Sequence, residues 1–350
     1  MTTQIAARNV PDVFWVPSAQ VMTYAASGLF HELDGISTLD LSDYSAADID
    51  MLRLDGKHNT MALGIFVPVL RYNATIAEAD GIELPADGVG WTWDALSKLA
   101  IDYAANHAAG HWALSYGPDH DLSFESWLRQ RGEQLWTEDG QMGFTVDGLA
   151  SWFDWWETLR KAGATPSLSE QDGVAADWSL VGNKVLAMIG NSNHIIDDAP
   201  MFPDQKFKLR HVPALADAAA GYQYLYIARL AIYGGIDKAN LKAAGAVLNF
   251  NTNSTEMLRT VHLTMGAPVN PRVAKEVQAF ASADELEMLA VVAADRAADR
   301  KPRFEAPAGS STWRSIMTRV AEEVALDKST TTDAASKMID EIKTALARAS

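Results

Sequence analysis

Residues 11–18 read Pro11-Asp12-Val13-Phe14-Trp15-Val16-Pro17-Ser18, and the fold turns on how this stretch is read. Four consecutive apolar side chains between two prolines form a short run of strand type. Pro11 and Asp12 break whatever precedes them. Ser18 stands where a helix cap belongs, ahead of a helix running to Ser27 and ended by Gly28. A strand feeding directly into a helix is the unit from which α/β proteins are assembled.

Working outward, the same alternation continues. Met61–Tyr72 is dense in large and β-branched apolar residues and reads as one or two buried strands around Pro68. Thr92 caps a helix from Trp93 to about His107, and Trp112–Tyr116 returns as a strand. Gly117-Pro118-Asp119-His120-Asp121 is loop. A helix over Phe124–Arg131 stops at Gly132, and Thr145 caps another reaching about Ala162. Lys184–Ile189 is a buried strand that ends in Gly190-Asn191-Ser192-Asn193-His194, and Tyr222–Tyr233 is a further long strand. From Asp237 the pattern is helix after helix. Strands alternating with helices predict an α/β protein with helices on mostly parallel sheets, followed by a helical tail. No internal repeat or low-complexity linker separates two domains, so two cores imply lobes that exchange segments.

Composition narrows the function. At 350 residues and 48% hydrophobic the chain is long enough for two cores. A formal net charge of −16 repels phosphate backbones and anionic lipid, which argues against nucleic acid and membrane-surface partners and favours neutral or cationic small molecules. With no cysteine, disulfides, zinc–thiolate sites and thiol nucleophiles are excluded. Apolar runs such as Leu289–Ala294 fall far short of the roughly 18 residues a membrane span needs. Eleven Trp are many, and an indole offers a broad apolar face with one donor, suited to the C–H faces of sugars as well as to a core.

Catalytic signatures are sparse. The sequence has no phosphate loop ending in Lys-Ser or Lys-Thr, no dinucleotide fingerprint and no Gly-x-Ser-x-Gly elbow. His107 and His111 have i, i+4 spacing, but Gly110 lies between them and no carboxylate takes the metalloprotease position, so no metal site is expected. Asp119-His120-Asp121 leaves three readings open: a solvated turn, a ligand-contact loop or a catalytic site. A carboxylate pair for glycoside hydrolysis also stays open, because such pairs come from distant strands. Trp152, Trp155 and Trp156 fall on one helix face and read as structural.

The segment Gln4-Ile5-Ala6-Ala7 with Pro11-Asp12-Val13, then Tyr24-Ala25 and Gly28-Leu29 with Leu33-Asp34, resembles extracellular solute-binding protein family 1, the maltose-binding-protein-like receptors of ABC importers. Tyr72-Asn73, Thr92-Trp93-Asp94-Ala95-Leu96, Gly182-Asn183-Lys184-Val185-Leu186-Ala187-Met188 and the helix around Ala335–Leu346 match that family in the same order. The resemblance implies a two-lobed periplasmic-binding-protein fold of type II. Its lobes would be 1–67 with 229–279, and 68–228 with 280–350, crossing near Phe66–Val69, Tyr224–Arg229 and Phe280–Asp284. It also implies a monomer outside the cytoplasm that binds a carbohydrate without cofactor, metal or catalysis and presents it to ABC permease subunits. Family members begin with an export signal, a strand and a helix ahead of the segment matched at Gln4. Here Met1 falls within that first helix, which predicts an incomplete first lobe.

Ligand groups in such a fold sit at the carboxyl ends of strands. The expected set is Trp15, Ser18 and Gln20 after the first strand; Asp119 and His120 with Trp127 on the next helix; Asn191, Asn193 and His194; and Tyr222 and Tyr224, which share a strand face with Tyr226. Ser18 has a second reading as a helix cap, and Tyr226 as core. Trp313 matches a position where the maltose-binding relative stacks an aromatic on sugar; packing within the lobe is its alternative. An oligosaccharide hydrolase and the ligand-binding module of a membrane sensor are the competing functions.

Overall fold

The computed structural model describes residues 4–5, 9–171 and 184–349; the Gly182-Asn183 half of the strand motif lies outside them. Among these described residues seven strands form two sheets. The first has the order β1-β7-β2, with β1 Val13–Val16, β2 Met61–Phe66 and β7 Tyr226–Ile232. The second has the order β4-β5-β3-β6, with β3 Pro68–Asn73, β4 Trp112–Leu114, β5 Val185–Asn191 and β6 Phe207–His211. Apart from a single turn at Leu168–Gln171, the described helices in chain order are α1 Val21–Ala26, α2 Ala46–Leu52, α3 Ala74–Asp80, α4 Trp93–Asn106, α5 Asp121–Gln130, α6 Val146–Lys161 and α7 Ile195–Met201. After β7 come α8 Leu241–Asn253, α9 Thr255–Val261, α10 Pro271–Glu276, α11 Ala283–Ala297, α12 Trp313–Ala325 and α13 Thr331–Ala349.

The apolar run at 61–73 becomes two strands because it crosses between sheets. Only Val67 separates Phe66 from Pro68, and proline, which cannot donate, takes the first position of β3. Ser192 holds this crossing from both sides: its N–H donates to Val67 O at 2.9 Å, and its Oγ accepts from Val67 N at 3.2 Å. β7 returns the chain to the first sheet at Tyr226, so residues 222–225, expected as strand, are a connecting segment. The expectation of mostly parallel sheets is corrected. β7 runs antiparallel to β1 and β2, β3 runs antiparallel to β5 and β6, and among the strand pairs of the described residues only β4–β5 is parallel. Strands that shuttle between two sheets enter each one from the junction, and so oppose the strands that end there.

Local signals place the helices. Thr92 Oγ1 accepts from Ala95 N at 3.1 Å and Thr145 Oγ1 from Gly148 N at 3.0 Å, so α4 and α6 start as their caps require. The expected cap at Ser18 is absent. Residues 18–20 form a 3₁₀ turn led by Pro17, and α1 begins at Val21 without a side-chain cap.

Two large interiors result, with smaller clusters around Phe14 and Tyr24 and around Phe66 and Tyr226. One fills the space around α4, α5, α6, α12 and α13 and contains Trp93, Trp127, Trp136, Trp152, Trp155, Trp156 and Trp313. The other covers Met61, Leu230, Ile232 and Leu248 and continues past the junction to Ile195, Phe207, Leu209 and Met288. On α11, Glu287 pairs with Lys208 and accepts from Leu209 N at 2.6 Å, which ties this helix to β6.

Candidate ligand cleft

Strand direction puts one set of strand ends together. β1 and β2 both run toward the start of β7, since Val16 faces Arg229 and Phe66 faces Tyr226. Asn191, ending β5, faces Pro68, and β4 is parallel to β5. His211, ending β6, faces Val69. The carboxyl ends of β1, β2, β4, β5 and β6 therefore converge on the junction, where α/β sheets place ligand groups.

Tyr226 marks the floor. Its ring lies 5.1 Å from that of Phe66, and both sit against Leu122. From the second sheet's side, Arg314 donates to Tyr226 Oη at 3.0 Å and pairs with Asp121. Thr318 Oγ1 donates to Asp119 Oδ2 at 2.8 Å. His120 caps α5: its Nδ1 lies 2.6 Å from Ser123 Oγ and accepts from Ser123 N at 3.3 Å. Burial lowers the His120 pKa, Asp121 and Asp119 oppose that shift, and a neighbouring His194 adds to it. His194 itself is half-buried, 3.5 Å from Asn191 Nδ2.

The first sheet contributes Trp15. It faces Leu230 across β1–β7, and Leu230, Ala228 and Tyr226 alternate onto one face. Trp15 thus shares the face of Tyr226, roughly 13 Å away at about 3.3 Å per residue. It is 51% exposed, which leaves an indole face available.

The expected residues separate into two groups. Trp15, Asp119, His120, Asn191, Asn193 and His194 lie at strand ends on the junction, with Ser18 and Gln20 in the half-buried turn after β1. Trp127, Tyr224 and Trp313 do not present a face to the cleft. Trp127 is 5.1 Å from Trp93 inside the aromatic core, with Arg131 over its other side at 3.4 Å. Tyr224 is buried and spends its hydroxyl on Leu122 O at 2.6 Å. Trp313 is buried edge-on against Trp136. The physical reason for Trp313 is helical phase. One residue on, about 100° around α12, Arg314 faces the cleft instead. Tyr222 is half-buried, and its carbonyl is held by Arg129.

Beneath the cleft lies a buried charge network that the sequence reading missed. Arg303 pairs with Glu125 at 2.9 Å and Glu305 at 3.1 Å, and Glu305 pairs with Arg229 at 3.1 Å. Arg129 donates to the carbonyls of Gly221, Tyr222, Gln223, Lys301 and Pro302, clamping two connecting segments. The one available signal was Arg229, a charge within the apolar run of β7. A separate cavity of about 840 Å³ opens on the opposite face of β7, where Ile227 and Arg229 meet Met51 and Phe304. Of the expected residues only Tyr224 borders it. Among the described residues no cluster of three or more His, Asp or Glu is placed to hold a metal ion.

Two sheets whose strand ends converge on a polar cleft floored by crossing strands define a two-lobed binding protein of the periplasmic type. The chain belongs to the bacterial extracellular solute-binding protein family, whose profile matches residues 1–288. No curated protein matches the sequence. Among solved structures it is similar to a periplasmic oligogalacturonide-binding protein from Yersinia enterocolitica, at 16% identity and TM-score 0.84, over 98% of this chain and 88% of that one. It is also similar to an ABC substrate-binding protein from Listeria monocytogenes in complex with cycloalternan, at 19% identity and TM-score 0.77, over 99% and 87%. A de novo designed esterase shares the fold at 17% identity and TM-score 0.79, over 99% and 87%. The family is one of solute-binding proteins rather than enzymes. No described helix is long and apolar enough to cross a membrane.

Proposed function

We propose that this chain is the substrate-binding component of a bacterial importer, holding a sugar or oligosaccharide between its lobes, outside the cytoplasm, and presenting it to ABC permease subunits. The lobes are 1–67 with 229–279 and 68–228 with 280–350, with Tyr226–Ala228 moved to the first because β7 pairs there from Tyr226. The observation that carries this reading is the pairing of an exposed Trp15 with the fixed polar groups Asp119, Asp121 and Arg314 at converging strand ends. An indole offers a stacking face, and planar carboxylate and guanidinium groups orient hydroxyls. Relatives of this fold include binding proteins for an oligogalacturonide and for cycloalternan, which supports an oligosaccharide as ligand. Each carboxylate of the loop is engaged by a neighbour, Asp121 by Arg314 and Asp119 by Thr318, an arrangement suited to holding a substrate rather than passing protons to it. A ligand that touches both lobes stabilises the closed arrangement, which a permease can read.

The test is a melting-temperature panel with maltotriose, cellobiose, cycloalternan and digalacturonic acid, with product analysis. One sugar at about 100 times its Kd adds about 2.7 kcal/mol of stability and is recovered intact. Trp15→Ala lowers its affinity about ten-fold, equivalent to about 1.4 kcal/mol, while the ligand-free melting temperature stays within a degree or two. Cleavage of any sugar, or no shift with any of them, overturns the reading.

A further inference from the structure

Residues 262–266 form a strap beside the Val67 crossing. Its far end is fixed to the first sheet: Ile65 N donates to Ala267 O at 2.8 Å, and Ala267 N to Ile65 O at 2.7 Å. Gly266 sits at φ 105°, and a Cβ there would collide with the Ile65 carbonyl oxygen, so glycine alone permits the approach. The near end is strained. His262 adopts φ 58°, ψ −167°, backbone that residues other than glycine avoid. Such a conformation persists only where surrounding contacts over-determine it.

Those contacts come from elements outside the first sheet. Glu285 on α11 accepts from Leu263 N at 3.0 Å and lies 3.4 Å from His262 Nδ1. Asn193, just past the end of β5 in the second sheet, donates through Nδ2 to Thr264 O at 2.6 Å. Asn193 is only 6% exposed, and its Oδ1 is buried without a hydrogen-bond partner among the described residues. Asn191 Oδ1, two residues earlier, is in the same state. A buried amide acceptor left unmade is expensive, and its natural complement is a hydroxyl or N–H donor arriving from outside.

We propose that Asn193 is a positioning residue with two duties: its N–H tethers the strap, and so one sheet, to the other, while its Oδ1 takes a hydroxyl of the bound sugar. The two duties are coupled. A donor on Oδ1 polarises the amide and strengthens the Nδ2–H···O bond to Thr264, so ligand binding tightens the link between the sheets. Ligand occupancy then shifts the population toward the tethered arrangement. The tether stands on the geometry alone; the sugar contact rests on the function proposed above.

Because the chain has no cysteine, labels placed by Lys238→Cys and Lys328→Cys report the distance between the lobes without background. The measurement is the ligand-free distance distribution by electron double resonance. Asn193→Ala and Asn193→Asp, the second nearly isosteric but lacking the donor, broaden and shift that distribution relative to the labelled parent. Glu285→Gln loosens the other anchor in the same direction and serves if a position-193 variant fails to fold. Distributions identical to the parent in all folded variants overturn the tether. With whichever panel sugar binds the parent, Asn193→Ala, which removes the Oδ1 acceptor, lowers affinity at least ten-fold, and equal affinity overturns the sugar contact. If no panel sugar binds the parent, the sugar contact falls with the proposed function, and the ligand-free distances decide the tether independently.

Discussion

The aromatic interior of the second sheet and the charged layer under the cleft are both largely buried, yet opposite forces hold them. In the first, Trp93, Trp127, Trp152, Trp155 and Trp156 pack with ring centroids about 5–6 Å apart, mostly edge to face. Three of their indole N–H groups donate to polar atoms, Trp93 to Gln130 Oε1, Trp127 to Ser151 Oγ and Trp152 to Pro118 O. Stability there comes from apolar area and shape. In the second, Arg229, Glu305, Arg303 and Glu125 bury charge against charge. Burial raises the Glu125 pKa, and Arg303 offsets it only in part. Two guanidiniums, Arg303 and Arg229, overcome burial at Glu305 and hold it below the ordinary carboxylate value. A buried ion network adds little net stability but tolerates only the geometry in which every charge is matched. That suits the place where two lobes have to meet in a defined way.

The comparison breaks most severely at Trp152, which has no exposed surface. Trp152→Ala is expected to lose about 5 kcal/mol of folding stability by urea unfolding, at the top of the range for an aromatic deleted from a core. Arg303→Met is next, at about 3 kcal/mol, because it strands Glu125 and leaves Glu305 to Arg229 alone. Glu125→Leu added to it recovers part of that loss, whereas no second apolar change rescues Trp152→Ala. If Arg303→Met alone proves neutral, the charged layer is not a matched network.

The smallest effect concerns pH. His211 lies between Asp87 at 2.7 Å and Asp295 at 3.3 Å. Burial lowers its pKa, but the contacts in which the ring's N–H groups face the carboxylates of Asp295 and Asp87, with their charges, outweigh that and lift it to about 10. A folded pKa above the unfolded value of 6.5 means the imidazolium contributes in full below about pH 6.5 and is lost as pH rises toward 10. The parent's melting temperature therefore declines across that window. His211→Gln flattens the decline, whereas Trp152→Ala leaves its slope unchanged. Parallel pH profiles for parent and His211→Gln would sink the assignment.

Residue chemistry and local pattern made much of the chain legible. The caps at Thr92 and Thr145, the strand at 13–16, the loop at 117–120 and the polar end of β5 are short-range features, readable because neighbouring residues impose them, although Asp121, read as loop, opens α5. Pairing direction was not among these, since it depends on which distant segment arrives alongside. Nor was the identity of the buried charges. Arg303 and Glu305 lie in a stretch without periodicity, and only the fold brings them to Glu125 and Arg229.

Sequence alone determined the class: an acidic, cysteine-free α/β chain long enough for two cores, with apolar runs too short to span a membrane as a helix and an order of motifs shared with solute-binding proteins. Tertiary structure decided which tryptophan is free. Trp15, Trp127 and Trp313 are one residue type in similar surroundings on the page of the sequence, yet only Trp15 keeps an open face. The reason is that exposure belongs to packed surfaces rather than to residues. A position on an edge strand leaves one ring uncovered, while a shift of about 100° on α12 buries Trp313 and turns Arg314 to the cleft.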